Sequence, residues 1–168
     1  MKLSFQKQKM MLAHFNARSE LHGDEREPAG DLKLEASLPN DVLVEFHPAL
    51  RSLLYYYDDQ RGADLADQAK KDDPDYLPHL RMPSLGGPLK WNEEMAGAEV
   101  VISIPGTKTE IVLQDAKVNA FSLEPRDGGT VDLSLRVQAH PDEKQCGKFC
   151  ALIQSEVEVS IAPREDAE

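Results

Sequence analysis

Hydrophobic and polar residues alternate with a period of two along most of this chain, the pattern of strands with one buried and one wet face. Met10, Leu12, His14 and Asn16 alternate with Met11, Ala13, Phe15 and Ala17, which predicts a strand apolar on one side. Leu32, Leu34, Ala36 and Leu38 alternate with Lys33, Glu35 and Ser37 in a cleaner run that Pro39 ends. Residues 99–104 (EVVISI) are β-branched, and residues 110–113 with 116–123 set Ile111, Leu113, Val118, Ala120 and Ser122 on a half-buried ribbon. Residues 130–139 turn Val131, Leu133, Leu135 and Val137 one way and Asp132, Ser134, Arg136 and Gln138 the other. Pro125 and Asp127-Gly128-Gly129 make the turn before them, because this tripeptide furnishes the positive φ angles of a tight reversal. Val157, Val159 and Ile161 predict a last strand.

Two stretches switch to helical spacing. Asn40 or Asp41 can cap a helix in which Leu43, Phe46, Leu50, Leu53, Leu54 and Tyr57 recur every three or four residues. Pro48 inside it removes a hydrogen bond and clashes with the preceding turn, so two short helices or one kinked helix should dock there on a sheet. His140, Pro141, Asp142 and Glu143 start a second helical stretch through Phe149, Leu152 and Ile153. Residues 19–30 carry turn and loop chemistry, and residues 58–88 lose all pattern except for a short helix over 63–71. The prediction is an α+β or mainly β fold: an antiparallel, sandwich-like sheet with one or two short helices packed on it. Residues 1–162 would form a single β-rich domain with an acidic Pro/Gly-containing loop over 58–88, and 163–168 an acidic flexible tail. Strand and helix do not alternate regularly, which excludes a doubly wound or barrel α/β plan.

Composition adds a sign to this picture. The 168 residues hold 30 Asp plus Glu against 19 Lys plus Arg, a net charge of -11. Such a surface repels a polyanion unless its cations cluster, which argues against nonspecific duplex binding. The excess has an address: Asp58, Asp59, Asp64, Asp67, Asp72, Asp73 and Asp75 are met only by Arg61, Lys70 and Lys71, whereas Lys2, Lys7 and Lys9 open the chain without an acid. No apolar run approaches the ~20 residues of a membrane span, and MKLSFQKQKMM lacks the apolar core of a secretory signal. A cytoplasmic protein is expected.

Candidate chemistry is sparse. Cys146 and Cys150 with His140 could begin a zinc site, but structural zinc wants four ligands; reduced thiols packed as small apolar groups are the simpler expectation. His14, His22, His47, His79 and His140 show no metal-motif spacing, and the aspartate run lacks the order of a calcium loop. Gly106 to Thr109 resembles a phosphate loop only superficially and is expected to be a hairpin turn. Single-stranded nucleic acid would need stacking platforms beside cations. Phe5, Phe15, Tyr55, Tyr56, Tyr57, Trp91 and Phe121, with Lys2, Lys7, Lys9, Arg18, Lys90, Lys117 and Arg136, are the candidates, against the alternative that these aromatics are core and rim.

The stretch HGDEREPAGDLKLEASLPNDVLVEFHPALRSLLY resembles a family of uncharacterised accessory proteins encoded by tailed phages and prophages, as do IVLQDAKVNAFSLEPRDGGTVDLSLRVQAHPDE and GKFCALIQSEVEVSI. The likeness spans most of the chain outside residues 58–88. It implies a phage accessory protein in the cytoplasm of the infected bacterium, and it brings no catalytic residue and no cofactor. The expected function is therefore non-enzymatic: binding and inhibiting or modulating a host defence or DNA-processing protein. The seven aspartates would meet a basic surface of that protein, mimicking nucleic acid. The alternative is a single-stranded DNA-binding accessory protein of phage replication or recombination. A structural virion component is a third reading.

Overall fold

In the computed structural model, which describes residues 3–58 and 73–164, most of the alternating runs join one sheet. It is built from β1 (Phe5–His22), β2 (Glu25–Pro39), β5 (Leu89–Trp91), β6 (Met95–Ser103), β7 (Glu110–Arg126), β8 (Thr130–Ala139) and β9 (Ser155–Ala162). Two-residue strands β3 (Tyr55–Tyr56) and β4 (His79–Leu80) pair separately. The main sheet runs antiparallel in the order β7-β6-β9-β1-β2-β8, and β8 pairs back onto β7, so six strands close into a barrel rather than stacking as a sandwich. The mainly β, antiparallel character stands, and the two-sheet arrangement does not.

Bulges account for the closure. Register slips between Leu12 and His14 in β1 and between Asn119 and Ser122 in β7, where Ala120 sits at φ 52°. Between β6 and β7 it slips beside Gly97 and Asp115, at φ 73° and 52°. An extra residue bends its strand and sharpens the twist, until a narrow sheet meets its own edge. Bulges also flip the alternation. Met10 and Leu12 are buried on one side of the β1 bulge and Ala13 on the other, and in β7 burial passes from Val118 to Phe121 and Leu123 while Ala120 is exposed. The ribbon of Ile111, Leu113, Val118, Ala120 and Ser122 expected from period two is thus broken at Ala120.

Residues 19–30, expected as turn and loop, hold a turn only at Gly23 and Asp24 and are otherwise strand. β1 and β2 stay paired out to His22 and Glu25, while β8 leaves β2 at Gly30 and β9 leaves β1 at Leu12. Among the described residues the far end is therefore a two-stranded arm that is exposed over most of its length, at Ser19, Leu21, His22 and residues 25–28, which explains its polar sequence. Gly30 sits at its base because a Cβ there would lie 2.5 Å from the Phe15 ring.

Pro48 splits the first helical stretch into α1 (Val42–Phe46) and α2 (Leu50–Leu54), with His47 extended between them. Leu43 and Phe46 are buried, and the Phe46 ring meets Phe121 and Trp91 edge-on at 5.4 and 6.0 Å. Asp41 occupies the expected N-cap position but makes no side-chain capping bond, and the buried Asn40 instead donates from Nδ2 to the Leu77 carbonyl at 2.7 Å. At the other end of β8, α3 (Glu143–Leu152) opens with a capping box between Asp142 and Gln145 and packs Phe149 on Phe15, ring centroids 5.3 Å apart. One apolar cluster takes side chains from Leu3 through Ile161. The helix expected over residues 63–71 lies outside the described residues. Among the described residues, no helix is long and apolar enough to cross a membrane.

Candidate functional site

The outward positions of the barrel strands come into register as rows. Glu156 of β9 lies opposite Met11 of β1, Met11 opposite Glu35 of β2, Glu35 opposite Ser134 of β8, and Ser134 opposite Ser122 of β7. A second row joins Ser37, Asp132 and Glu124. Strand twist folds these rows into an open concavity of about 730 Å³. Its lining holds four carboxylates, Glu35, Glu124, Asp132 and Glu156, against one cation, Lys9. Met11, 43% exposed, adds an apolar spot.

Local ion pairs set the electrostatics. Lys33 reaches Glu35 at 3.2 Å and Lys9 reaches Glu156 at 3.7 Å. Arg126 lies 2.8 Å from Asp132 and 3.5 Å from Glu124. Ser37 Oγ donates to Asp132 Oδ1 at 2.6 Å, and this bond, with that from Arg126, holds the Asp132 carboxyl below the usual carboxylate range. Pairs this exposed contribute at most about 1 kcal/mol each, so their carboxylates can trade an internal cation for an external one. The lining includes no His or Cys. What the surface offers is recognition of cations.

The expected partner-binding aspartates are elsewhere. Asp59, Asp64, Asp67 and Asp72 lie outside the described residues. Asp58 is half-buried, Asp73 accepts from the Asp75 amide at 2.9 Å, and Asp75 pairs with Arg51 at 2.7 Å. None of these three lines the concavity.

The nucleic-acid candidates do not assemble into a platform. Tyr55 and Phe121 are buried, Phe5, Phe15 and Trp91 pack on the core, and Tyr56 and Tyr57 lie tilted against His79 and Tyr76. Lys9, Arg18 and Lys117 face carboxylates, Arg136 donates to Asn119, and Lys2 lies outside the described residues. Gly106 lies in the β6–β7 hairpin turn, where the Ile104 amide donates to the Thr109 carbonyl at 3.1 Å. The Cys pair and His140 do not converge: Cys146 Sγ sits 3.7 Å from the Pro141 carbonyl, Cys150 is exposed, and His140 faces Glu20. Burial pushes the Cys146 thiol pKa up, the direction that keeps it protonated. Among the described residues, the side chains grouped as metal ligands would be are Glu20, His22 and His140.

Comparison of the chain with protein-family models, curated proteins and solved structures finds no match. The concavity was not among the sequence candidates. Its residues stand at polar phases of the alternating runs, but only the strand register brings Glu35, Glu124, Asp132 and Glu156 together.

Proposed function

We propose that this protein is a non-enzymatic binding protein whose acidic concave face takes a lysine- and arginine-rich surface of a protein partner. The observation that carries the reading is the grouping of Glu35, Glu124, Asp132 and Glu156 on one concavity, where Lys33, Lys9 and Arg126 hold them only in exposed, exchangeable pairs. Complementary potential speeds encounter and selects partners, and exposed carboxylates are exchanged at small desolvation cost. On the phage resemblance of the sequence, we take that partner to be a defence or DNA-processing protein of the infected bacterium whose own basic surface grips nucleic acid. Single-stranded DNA binding is the less favoured reading, because the aromatics it would need are packed on the core or on one another.

The test is fluorescence anisotropy with a labelled Lys/Arg-rich peptide and a labelled single-stranded oligonucleotide, each titrated with protein across a range of salt. The peptide should bind and weaken with salt. Glu35→Gln/Glu124→Gln/Glu156→Gln should cost about tenfold in affinity, three pair energies of roughly 0.5 kcal/mol each. Asn in place of the seven loop aspartates should cost less than the face variant. Saturable oligonucleotide binding, or peptide binding indifferent to the face variant, would overturn the proposal.

A further inference from the structure

Away from the concave face, the β1–β2 arm meets the corner between β8 and α3, and side chains remote in sequence converge there. Glu20 and His22 stand two apart on β1 and so on one face of the strand, while His140 follows β8 directly. One ligand atom from each lies within 4.8 Å of the others. His140 Nε2 is 2.9 Å from Glu20 Oε2, and the two imidazoles stand edge-on with centroids 5.7 Å apart. Glu20 and His140 pair with each other, and the second imidazole, His22, brings a further nitrogen to the same spot. Two neutral imidazoles and a carboxylate are a donor set taken by divalent ions of the zinc type.

The surroundings orient that donor set. Arg18 donates to Glu20 Oε1 and is itself held by Asp31 at 2.9 Å, which leaves Oε2 turned toward His140. Glu27 faces Glu20 across the arm, and its Oε2 lies 3.8 Å from His22 Nε2, within reach of a fourth position. Such outer partners fix ligands in working metal sites.

We propose that Glu20, His22 and His140 bind one divalent transition-metal ion, Zn(II) in type, which ties the β1–β2 arm to the start of α3. The site is independent of the acidic face and stands whether or not that face binds protein. It uses neither Cys146 nor Cys150.

The test uses the full chain without an affinity tag, stripped with chelator and titrated with Zn(II) by calorimetry and with Co(II) by absorption. One equivalent should bind, and Co(II) should give visible bands without a thiolate charge-transfer band. Removing an outer-shell partner typically costs about 10–100-fold in affinity, so His22→Gln and His140→Gln should each cost at least that much. The double variant Cys146→Ser/Cys150→Ser should bind as tightly as the native chain. Zn(II) should raise the melting temperature of the native chain and leave that of His140→Gln unchanged. These side chains are partly exposed, and circular dichroism verifies that each variant is folded. Absence of stoichiometric binding, binding insensitive to both His substitutions, or a thiolate band would overturn the proposal.

Discussion

Tyr55 is fully buried, and its hydroxyl lies 2.8 Å from the Arg126 carbonyl and 3.0 Å from the Thr130 carbonyl. Its one proton is shared between the two residues that flank the β7–β8 turn, so a side chain from the segment after α2 pins that hairpin from beneath. Burial pushes the phenol up to about 12 from its ordinary value near 10. The folded state therefore holds the proton longer than the unfolded chain does. The resulting stability is complete below pH 10 and is lost as the pH rises toward 12, a swing of about 2–3 kcal/mol. Tyr55→Phe should cost about 1–2 kcal/mol at neutral pH by leaving the carbonyls short of a donor. It should also flatten the decline above pH 10, which urea denaturation at neutral and alkaline pH would measure.

Among the elements, α3 depends most on its first turn, where the Asp142 side chain accepts from the Gln145 amide and the Gln145 side chain accepts from the Asp142 amide. Asp142→Ala should cost about 0.5–2 kcal/mol, read by chemical denaturation. This helix start was legible because its capping residues are contiguous. So was the inward face of β8, which pairs with β2 without a register slip and buries Val131, Leu133, Leu135 and Val137. β1 and β7 were harder to read, since Ala13 and Ala120 shift the apolar phase part-way along each strand and period two holds only between bulges. The arm looked like loop because most of its residues are exposed and leave no apolar alternation to read. Neither surface site was legible: Glu35 and Glu156, or His22 and His140, stand more than a hundred positions apart, and only pairing brings them together.

At the scale of the molecule, the barrel is completed by its first and last long strands, Phe5 facing Ile161 and Leu12 facing Ser155. The β6–β7 turn on the same sheet is open around Gly106. A circular permutant that starts at Thr107 and joins residue 164 to residue 3 through a short glycine-serine linker keeps every strand pair. It should fold with a melting temperature close to that of the native order, as a thermal scan by circular dichroism would check.

The β1–β9 seam also sets a timetable. During synthesis β1 is made before β9, and the edge it offers has no strand to receive until residues 23–154 between them have been made. The nascent chain therefore carries an open sheet edge through that interval, and the barrel can close only once β9 has been made.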